Sequence, residues 1–381
     1  MDFEFSEEEK LFRESVAKFV DKEVLPVADE IDRKGEFPQE LFNKCAKMGY
    51  LGLRYPEEFG GSGGDMVLYC ILCEELARGS MSLAMTVSMQ AMMATDFIYR
   101  YGTEDHKNRL LIPALRGEKI GAFALTEPNA GSDLGAIQTT ALRQGDSWVL
   151  NGPKMWITNA SCGDFFTVLA STDRTQGIKA VDFFLVEKGT PGLIVGKKID
   201  KLGVRASDTG ELTFDNCAIP LTNLLGAQGS GFKNLLSILS QIRVMTGALG
   251  LGLSRAALIA ATEYSKQRVA FERPIAKFQA IQHKIADMAA DIELSRLIVY
   301  YAAWLIDNGK RCTKEAAIAK LFATEAANHA ADEASRIFAS YGFAMEYPIQ
   351  RHFRDARFLL LGGGTSEILR NIIAGEVIGK I

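Results

Sequence analysis

The chain has 381 residues, of which 48% are hydrophobic and 24% are charged, and its formal net charge is −4. These values predict an ordinary globular protein of two or three domains. They give no electrostatic basis for nucleic-acid binding, and no apolar run reaches the roughly 18–20 residues needed to cross a bilayer. The N-terminal residues are acidic and enter a helical pattern directly, unlike a targeting peptide, so we expect a cytoplasmic protein.

The first 120 residues have helical periodicity. Ser6 and Glu9 form a capping-box pattern in front of apolar residues at helical spacing. Further helices are predicted over 39–48, 66–78, 83–101 and 104–116. The segment 55–64 contains four glycines and a proline, which indicates a loop between two of these helices.

From about residue 121 the pattern changes to short apolar runs with turn residues between them. Strands are predicted over 148–152, 165–170, 181–186 and 211–216, a spacing that favours a small β-barrel or sandwich. After Gly231 long helices are predicted again, over 231–266, 275–308, 313–341 and 365–378, as in an antiparallel four-helix bundle. We therefore predict an α+β protein with a helical domain at 1–120, a β domain at 121–230 and a helical bundle at 231–381.

Two motifs have structural explanations that outweigh functional ones. Cys70 and Cys73 form a C-x-x-C inside an apolar helical run, with no second pair for zinc, so we interpret them as buried thiols. The four histidines show no ligand spacing, and we expect no metal site. Gly247, Gly250 and Gly252 lie inside a helix rather than after a strand, which favours close helix packing over a dinucleotide-binding loop.

Three other segments suggest ligand binding. Methionines recur at helical spacing at positions 81, 85, 89, 92 and 93, either as flexible core filling or as the wall of an apolar acyl pocket. The segment 126–133 concentrates hydroxyls, glycine and backbone donors that suit an anionic ligand. In the segment 152–160, Trp156 beside Thr158 suits a planar ring held by stacking and hydrogen bonds.

The last two segments, together with several others, resemble the acyl-CoA dehydrogenase family along essentially the whole chain. The matching segments are Glu74–Arg78, TEPNAGSD at 126–133, WITN at 156–159, Lys201–Gly203, Ser207–Thr209, Arg268–Phe271, Phe278–Gln279, Arg354–Arg357 and Gly364–Ile368. Within the family, the chain looks most like the cyclohex-1-ene-1-carboxyl-CoA and cyclohexanecarboxyl-CoA dehydrogenases.

The resemblance implies an N-terminal helical domain, a middle β-barrel and a C-terminal four-helix bundle, with FAD bound between the last two. Contacts with FAD are implied for Phe123, Leu125, Thr126, Ser132, Trp156, Thr158, Thr365 and Glu367. A homotetramer is implied, in which residues that reach the FAD of a neighbouring subunit are Arg268, Phe271, Gln279 and, less typically, Arg336. Acyl-CoA contacts are expected from Met89, Met93, Ser132, Ser240, Arg243 and Gly363, and an electron-transferring flavoprotein is the expected electron acceptor.

One position departs from the family pattern. Family members remove a proton from Cα of the acyl thioester with a glutamate, and Gly363 stands where that glutamate usually does. A minority place this base on the helix that opens the C-terminal bundle, where the chain has Ile242. The backbone N–H of Gly363 can still polarise the thioester oxygen. No side chain at either position can accept the proton, and such a loss costs about 10²–10⁴-fold in rate.

Three hypotheses explain the missing base. The first is dehydrogenation at other carbons, as in the 1,4-elimination of cyclohex-1-ene-1-carboxyl-CoA to a cyclic diene. Asp96, on the helix face of Met89 and Met93, is then the candidate base, and its structural alternative is a partly exposed ion pair with Arg100. The second is an ordinary cyclohexanecarboxyl-CoA or short-chain dehydrogenase, or an enoyl-CoA reductase, with another base. The third is a flavin- or CoA-binding protein without activity. We expect the first.

Overall fold

The N-terminal helices begin where the capping pattern predicts. In the computed structural model, which describes residues 4–379, the Ser6 hydroxyl accepts from the Glu9 N–H at 3.2 Å, and the Glu9 carboxylate accepts from the Ser6 N–H. The outer limits of the predicted first and last domains, residues 1 and 381, lie outside this range. The helices of this region are α1 Glu7–Phe19, α2 Ala28–Lys34, α3 Gln39–Lys47, α4 Met66–Gly79, α5 Met81–Ser88, α6 Asp96–Tyr101, α7 Glu104–His106 and α8 Ile112–Leu115.

A π-helical turn at Met89–Ala94 interrupts the helix predicted over 83–101 and separates α5 from α6. The Thr95 hydroxyl donates to the Gln90 carbonyl at 2.6 Å, which satisfies one of the backbone groups that the wider turn frees. All five methionines of the predicted stripe are buried. The wider turn therefore lies among the methionines proposed for the acyl pocket.

The strands of the middle region belong to one mixed sheet that encloses a hydrophobic core of its own, as expected for the middle β domain. Its strands are β1 Gly121–Ala124, β2 Thr140–Gln144, β3 Ser147–Thr158, β4 Phe165–Ser171, β5 Val181–Glu187, β6 Leu193–Lys198, β7 Thr209–Pro220 and β8 Leu224–Leu225. The order is β6-β7-β3-β2-β4-β5-β8, and β1 pairs with β4 in parallel. Sequence patterns predicted four of these strands and missed β1, β2, β6 and β8.

The C-terminal region consists of α9 Gly231–Gln267, the hairpin β9 Val269–Ala270 and β10 Arg273–Pro274, α10 Gln279–Asp307, α11 Thr313–Phe338, α12 Ile349–Leu359 and α13 Ser366–Ile378. The helix predicted to end at residue 341 ends at Phe338 because Ala339 has a φ of +52°, outside the helical region. Helix α12 was not predicted as a separate element. The loop between α12 and α13 carries Gly363.

Three glycines allow α9 to pack closely against its neighbours, as predicted. A Cβ atom would lie 3.0 Å from the Ala319 carbonyl at Gly247 and 2.1 Å from the Glu74 carbonyl at Gly252. Helix α9 is long and apolar enough to cross a membrane, but 78% of its most apolar 18-residue window is buried inside the protein. This burial is what the central helix of a helical domain requires.

Candidate active site

The loop that carries Gly363 lies against α9. Gly363 and Gly364 have φ values of +72° and +102°, which glycine adopts without strain. A Cβ atom on Gly363 would lie 3.1 Å from the Thr246 hydroxyl and 3.9 Å from the Ile242 Cγ2 atom. The two positions considered for a catalytic base therefore face each other, and neither carries an acid.

Two buried cations flank the same loop. The Lys320 ammonium donates to the Gly364 carbonyl at 2.7 Å, and burial lowers the pKa of this lysine to about 8. Arg243 is 9% exposed, and its Nε–H is buried with no hydrogen-bond partner among the residues that the structure describes. Burial also lowers the pKa of Arg243, and within residues 4–379 no acidic side chain forms an ion pair with it. Two cations thus flank the loop, and the acidic Glu325 and Glu367 also act on the charge of Lys320.

A buried ion pair joins the two segments expected to hold the flavin. The Lys154 ammonium donates to the Glu127 carboxylate at 2.7 Å and to the Leu125 carbonyl at 3.0 Å. Burial lowers the pKa of Lys154 to about 8, against the opposing effect of Glu127. The Met155 N–H donates to the Thr126 carbonyl at 2.9 Å. The segments 125–127 and 154–158 are therefore fixed to one another.

Trp156 projects from this joined unit. Its φ is +61°, at a register shift in the pairing of β3 with β7 between Lys154 and Ile157, and its side chain is 54% exposed. Leu125, Thr126 and Thr158 beside it are half-buried. A large aromatic ring held outward by a β-bulge offers an open face for a planar ligand. Phe123 contributes differently, since it is buried and stacked on Phe183.

The start of α13 suits the phosphates of the cofactor. Thr365 caps this 13-residue helix by accepting from the Ile368 N–H, and the hydroxyl of Ser366 is buried without a partner. A helix N-terminus with a free hydroxyl favours an anion. Glu367 is exposed in the first turn. Together with the outward Trp156 and the half-buried Thr126 and Thr158, these residues fit FAD.

Asp96 is buried, in contrast to the partly exposed position considered in its structural alternative. It is 3% exposed, and its carboxylate accepts from the Arg100 Nε at 2.6 Å. The ion pair with Arg100 is therefore present, but in the interior. Met89 and Met93 are also buried. The catalytic role of Asp96 stays a prediction.

The residues expected to reach a neighbouring subunit lie on the surface of the described chain. Phe271 is 88% exposed at the tip of the β9–β10 hairpin, and Arg268, Gln279 and Arg336 are exposed as well. Within the described chain they contact other residues of the C-terminal region; for example, the Arg336 Nε donates to the Asp332 carboxylate at 2.7 Å. Ser132 is also exposed, and Ser240 is half-buried.

Sequence patterns missed three residues that shape the site: Lys320, Thr246 and Glu127. Of these three, the sequence pattern could have indicated Lys320. It is a lysine at a helical position where the neighbouring buried residues of α11 are mostly alanines. Glu127 and Lys154 were both inside segments already chosen as ligand loops, but nothing in their spacing indicated that they pair. Among the described residues, no group of three or more His, Cys, Asp or Glu could hold a metal ion.

Three family models together match most of the chain. They are described as the acyl-CoA dehydrogenase N-terminal domain, which matches residues 6–118, the middle domain, 122–217, and the C-terminal domain, 229–378. Benzylmalonyl-CoA dehydrogenase of Aromatoleum aromaticum is 49% identical over 99% of this chain and 100% of its own.

Two solved structures superpose over the whole length of both chains. Butyryl-CoA dehydrogenase from Megasphaera elsdenii has a TM-score of 0.96 and 40% identity. A structure described as the electron transferring flavoprotein of Acidaminococcus fermentans has a TM-score of 0.97 and 39% identity. The chain is thus similar to both structures in sequence and fold, from end to end.

Proposed function

Because the chain belongs to the acyl-CoA dehydrogenase family, FAD-dependent oxidoreductases that act on the CH–CH bond of acyl-CoA thioesters, we propose that it oxidatively decarboxylates a 2-substituted malonyl-CoA such as 2-benzylmalonyl-CoA. The observation that carries this proposal is the absence of an acid at both Gly363 and Ile242, which face each other. The similarity to a benzylmalonyl-CoA dehydrogenase supports it.

The missing base follows from the chemistry of such a substrate. A malonyl thioester carries a carboxylate on Cα, and loss of CO2 leaves on Cα the electron pair that a base otherwise liberates. The Cα–carboxylate bond breaks, the pair becomes the Cα=Cβ double bond, and a hydride leaves Cβ. Bound FAD supplies the hydride acceptor. The products of 2-benzylmalonyl-CoA are CO2 and 3-phenylacryloyl-CoA, and no proton is removed from Cα.

An acid at either position would oppose this reaction. The substrate carboxylate would occupy the space next to Gly363, where a glutamate side chain would otherwise extend. Two carboxylates about 4 Å apart repel by several kcal/mol at the effective dielectric constant of a protein. The glycine removes that repulsion, and the apolar Ile242 side chain disfavours the charged carboxylate relative to neutral CO2. One change of substrate thus explains both departures.

The remaining groups of the reaction are backbone and apolar side chains. The Gly363 N–H polarises the thioester oxygen as charge develops on it. The buried methionines beside the π-helical turn, Met89 and Met93, provide an adaptable wall for the substituent on Cα.

The second candidate is the 1,4-elimination of cyclohex-1-ene-1-carboxyl-CoA, with Asp96 as base. Its support is that Asp96 is a buried carboxylate two positions beyond the π-helical turn that carries Met89 and Met93. The ion pair with Arg100 counts against it, because the guanidinium already occupies the carboxylate that would have to face the substrate. Dehydrogenation of cyclohexanecarboxyl-CoA or a short-chain acyl-CoA would need a base that neither Gly363 nor Ile242 supplies.

One anaerobic experiment separates these candidates. The FAD-loaded enzyme is mixed in turn with butyryl-CoA, cyclohexanecarboxyl-CoA, cyclohex-1-ene-1-carboxyl-CoA and 2-benzylmalonyl-CoA, and flavin bleaching is followed at about 450 nm. We expect rapid bleaching by 2-benzylmalonyl-CoA alone, with one CO2 released for each enoyl-CoA formed. Substrate deuterated at Cα should keep its deuterium in the product.

Each alternative result has a definite meaning. Rapid bleaching by butyryl-CoA, or loss of the Cα deuterium, would contradict the decarboxylation proposal. Bleaching by the cyclohexenyl thioester without CO2 would favour the second candidate. In that case Asp96→Asn should slow the reaction at least about 10²-fold, the typical effect of a lost general base. An unchanged rate would exclude Asp96 as the base.

We also propose a cytoplasmic homotetramer that passes electrons to an electron-transferring flavoprotein. The similarity to the Acidaminococcus structure supports the acceptor. The exposed Phe271 on its hairpin supports an assembly in which the hairpin packs on another subunit. Light scattering on the purified protein tests this assembly, and a monomer that retains FAD would contradict it.

A further inference from the structure

We infer that Arg243 binds the carboxylate of the substrate, and this inference rests on the proposed function. Arg243 follows Ile242 on α9 and is nine-tenths buried. Its Nε–H has no partner, and among residues 4–379 no carboxylate is paired with the guanidinium. An unpaired buried charge is costly, so such a group is retained where a ligand supplies the opposite charge.

The position of Arg243 on α9 matches this role. Gly247, one helical turn further on, packs against Ala319 of α11, so the Arg243 face of α9 is turned towards α11. Lys320 of α11 donates to the Gly364 carbonyl, and its pKa is lowered mainly by burial and to a smaller extent by the charge of Arg243. Arg243 therefore lies close to Lys320. Both are beside the loop that carries Gly363, and Gly363 itself faces Ile242 and Thr246 on α9.

Lys320 is less suited to hold the carboxylate. Its ammonium is engaged by the Gly364 carbonyl, whereas the Nε–H of Arg243 has no hydrogen-bond partner in the described part of the chain. A guanidinium can also bind a carboxylate through two parallel hydrogen bonds, which fixes the orientation of the carboxylate about the Cα bond. We therefore assign charge recognition to Arg243 and loop positioning to Lys320.

A pair of small ligands tests the assignment without turnover of the holoenzyme. Malonyl-CoA and acetyl-CoA differ by one carboxylate, and neither has a hydrogen on Cβ that could leave as hydride. Calorimetric titration of the FAD-loaded enzyme should give tighter binding of malonyl-CoA. In Arg243→Gln, malonyl-CoA binding should weaken at least tenfold, while acetyl-CoA binding changes less than threefold; Arg243→Lys should retain part of the preference.

Arg54→Gln is the matched control. Arg54 also lacks an acidic partner among the described residues, but its guanidinium donates to Gln241 and lies 5.3 Å from the centre of the Tyr69 ring. Its replacement should leave the preference for malonyl-CoA intact. Loss of the preference in Arg54→Gln, or its survival in Arg243→Gln, would overturn the assignment to Arg243.

Thermal unfolding separates binding from a structural role. Because Arg243 has no hydrogen-bond or ion-pair partner among residues 4–379, Arg243→Gln should unfold at the same temperature as the wild type or a higher one. A lower unfolding temperature, together with equal loss of both ligands, would show that Arg243 is structural. The proposed function can fail while the assignment of Arg243 holds. That would be the result if the wild-type enzyme binds malonyl-CoA preferentially but releases no CO2 from 2-benzylmalonyl-CoA.

Discussion

At residue 363 the backbone has a φ of +72°, a region that glycine adopts freely and other residues adopt at a cost of about 1–2 kcal/mol. A side chain there would point at Thr246 and Ile242. The same glycine leaves the space that the proposed substrate carboxylate needs. The positive φ of residue 363 therefore affects stability, whereas the absence of a side chain affects substrate specificity. The two effects can be tested separately.

Gly363→Glu should exchange one activity for another. The added carboxylate supplies a base next to Cα, so dehydrogenation of butyryl-CoA should increase at least about 10²-fold. It also repels a substrate carboxylate, so CO2 release from 2-benzylmalonyl-CoA should fall at least about tenfold. Both rates are measured by anaerobic flavin bleaching.

Gly363→Ala is the control for backbone strain. It introduces the same φ penalty without a charge, so it should lower stability without creating activity on butyryl-CoA. A Gly363→Glu enzyme that folds, binds FAD and gains no activity on butyryl-CoA would show that this residue does not face Cα.

Helix α9 determines the arrangement of the site, because it contacts several other elements along its length. Ile242 and Thr246 face the Gly363 loop, Gly247 packs on α11, and Gly252 packs on α4. Its glycines let neighbouring backbones approach more closely than any side chain would permit. The distance between α9 and α4 depends on residue 252 having no Cβ.

Gly252→Ala should destabilise the protein in spite of the higher helix propensity of alanine. Its Cβ would lie 2.1 Å from the Glu74 carbonyl, so the two helices must separate, at a cost of about 1–3 kcal/mol or more. Gly375→Ala in α13 is the control, because a Cβ there meets no atom within 4 Å. That change should stabilise by about 0.5–1 kcal/mol. Urea unfolding measures both, and equal effects would contradict the packing explanation.

At the scale of the whole molecule, α12 connects the three regions of the chain. Arg351 pairs with Asp29 at 2.9 Å, and Arg354 donates to the Leu202 carbonyl at 3.0 Å. The carboxylate of Asp355 accepts from the Val204 N–H at 2.6 Å. Asp355 is fully buried, and burial raises its pKa to about 6 from the ordinary 3.8. A titratable group therefore lies at the junction of the C-terminal helices and the middle domain.

This pKa predicts a stability difference that depends on pH. Because the folded-state pKa is raised, the native protein takes up a proton between about pH 6 and pH 3.8, and the charged form of Asp355 costs stability above pH 6. Asp355→Asn keeps an oxygen acceptor for Val204 and removes the charge. At pH 7.5 it should be more stable than the wild type by about 1–3 kcal/mol.

The advantage of Asp355→Asn should shrink as the pH falls through 6 towards 4, because the wild-type carboxyl then becomes neutral too. Urea unfolding of both proteins at several pH values measures it. A difference that stays constant, or that grows as the pH falls, would contradict the raised pKa of Asp355.

Several features of this protein could be predicted from its sequence alone. The capping box of Ser6 and Glu9 and the glycines of α9 follow from residues a few positions apart, and so does the fold family, from motifs in order along the chain. The missing base at Gly363 is equally visible in the sequence. The capping box and the helix glycines depend on short-range geometry, which fixes hydrogen bonds and periodicity without knowledge of distant residues. The fold family and the missing base follow from the resemblance of these motifs to those of the acyl-CoA dehydrogenases.

Contacts between residues that are distant in the sequence were visible in the tertiary structure alone. The contact of Gly363 with Thr246, the bond from Lys320 to the Gly364 carbonyl, and the pairing of Lys154 with Glu127 each join distant parts of the chain or opposite sides of a turn. The order of the strands in the middle sheet depends on pairings of the same long range. Burial makes these contacts matter for stability, because a buried polar group such as the Nε–H of Arg243, which has no hydrogen-bond partner among the described residues, costs free energy.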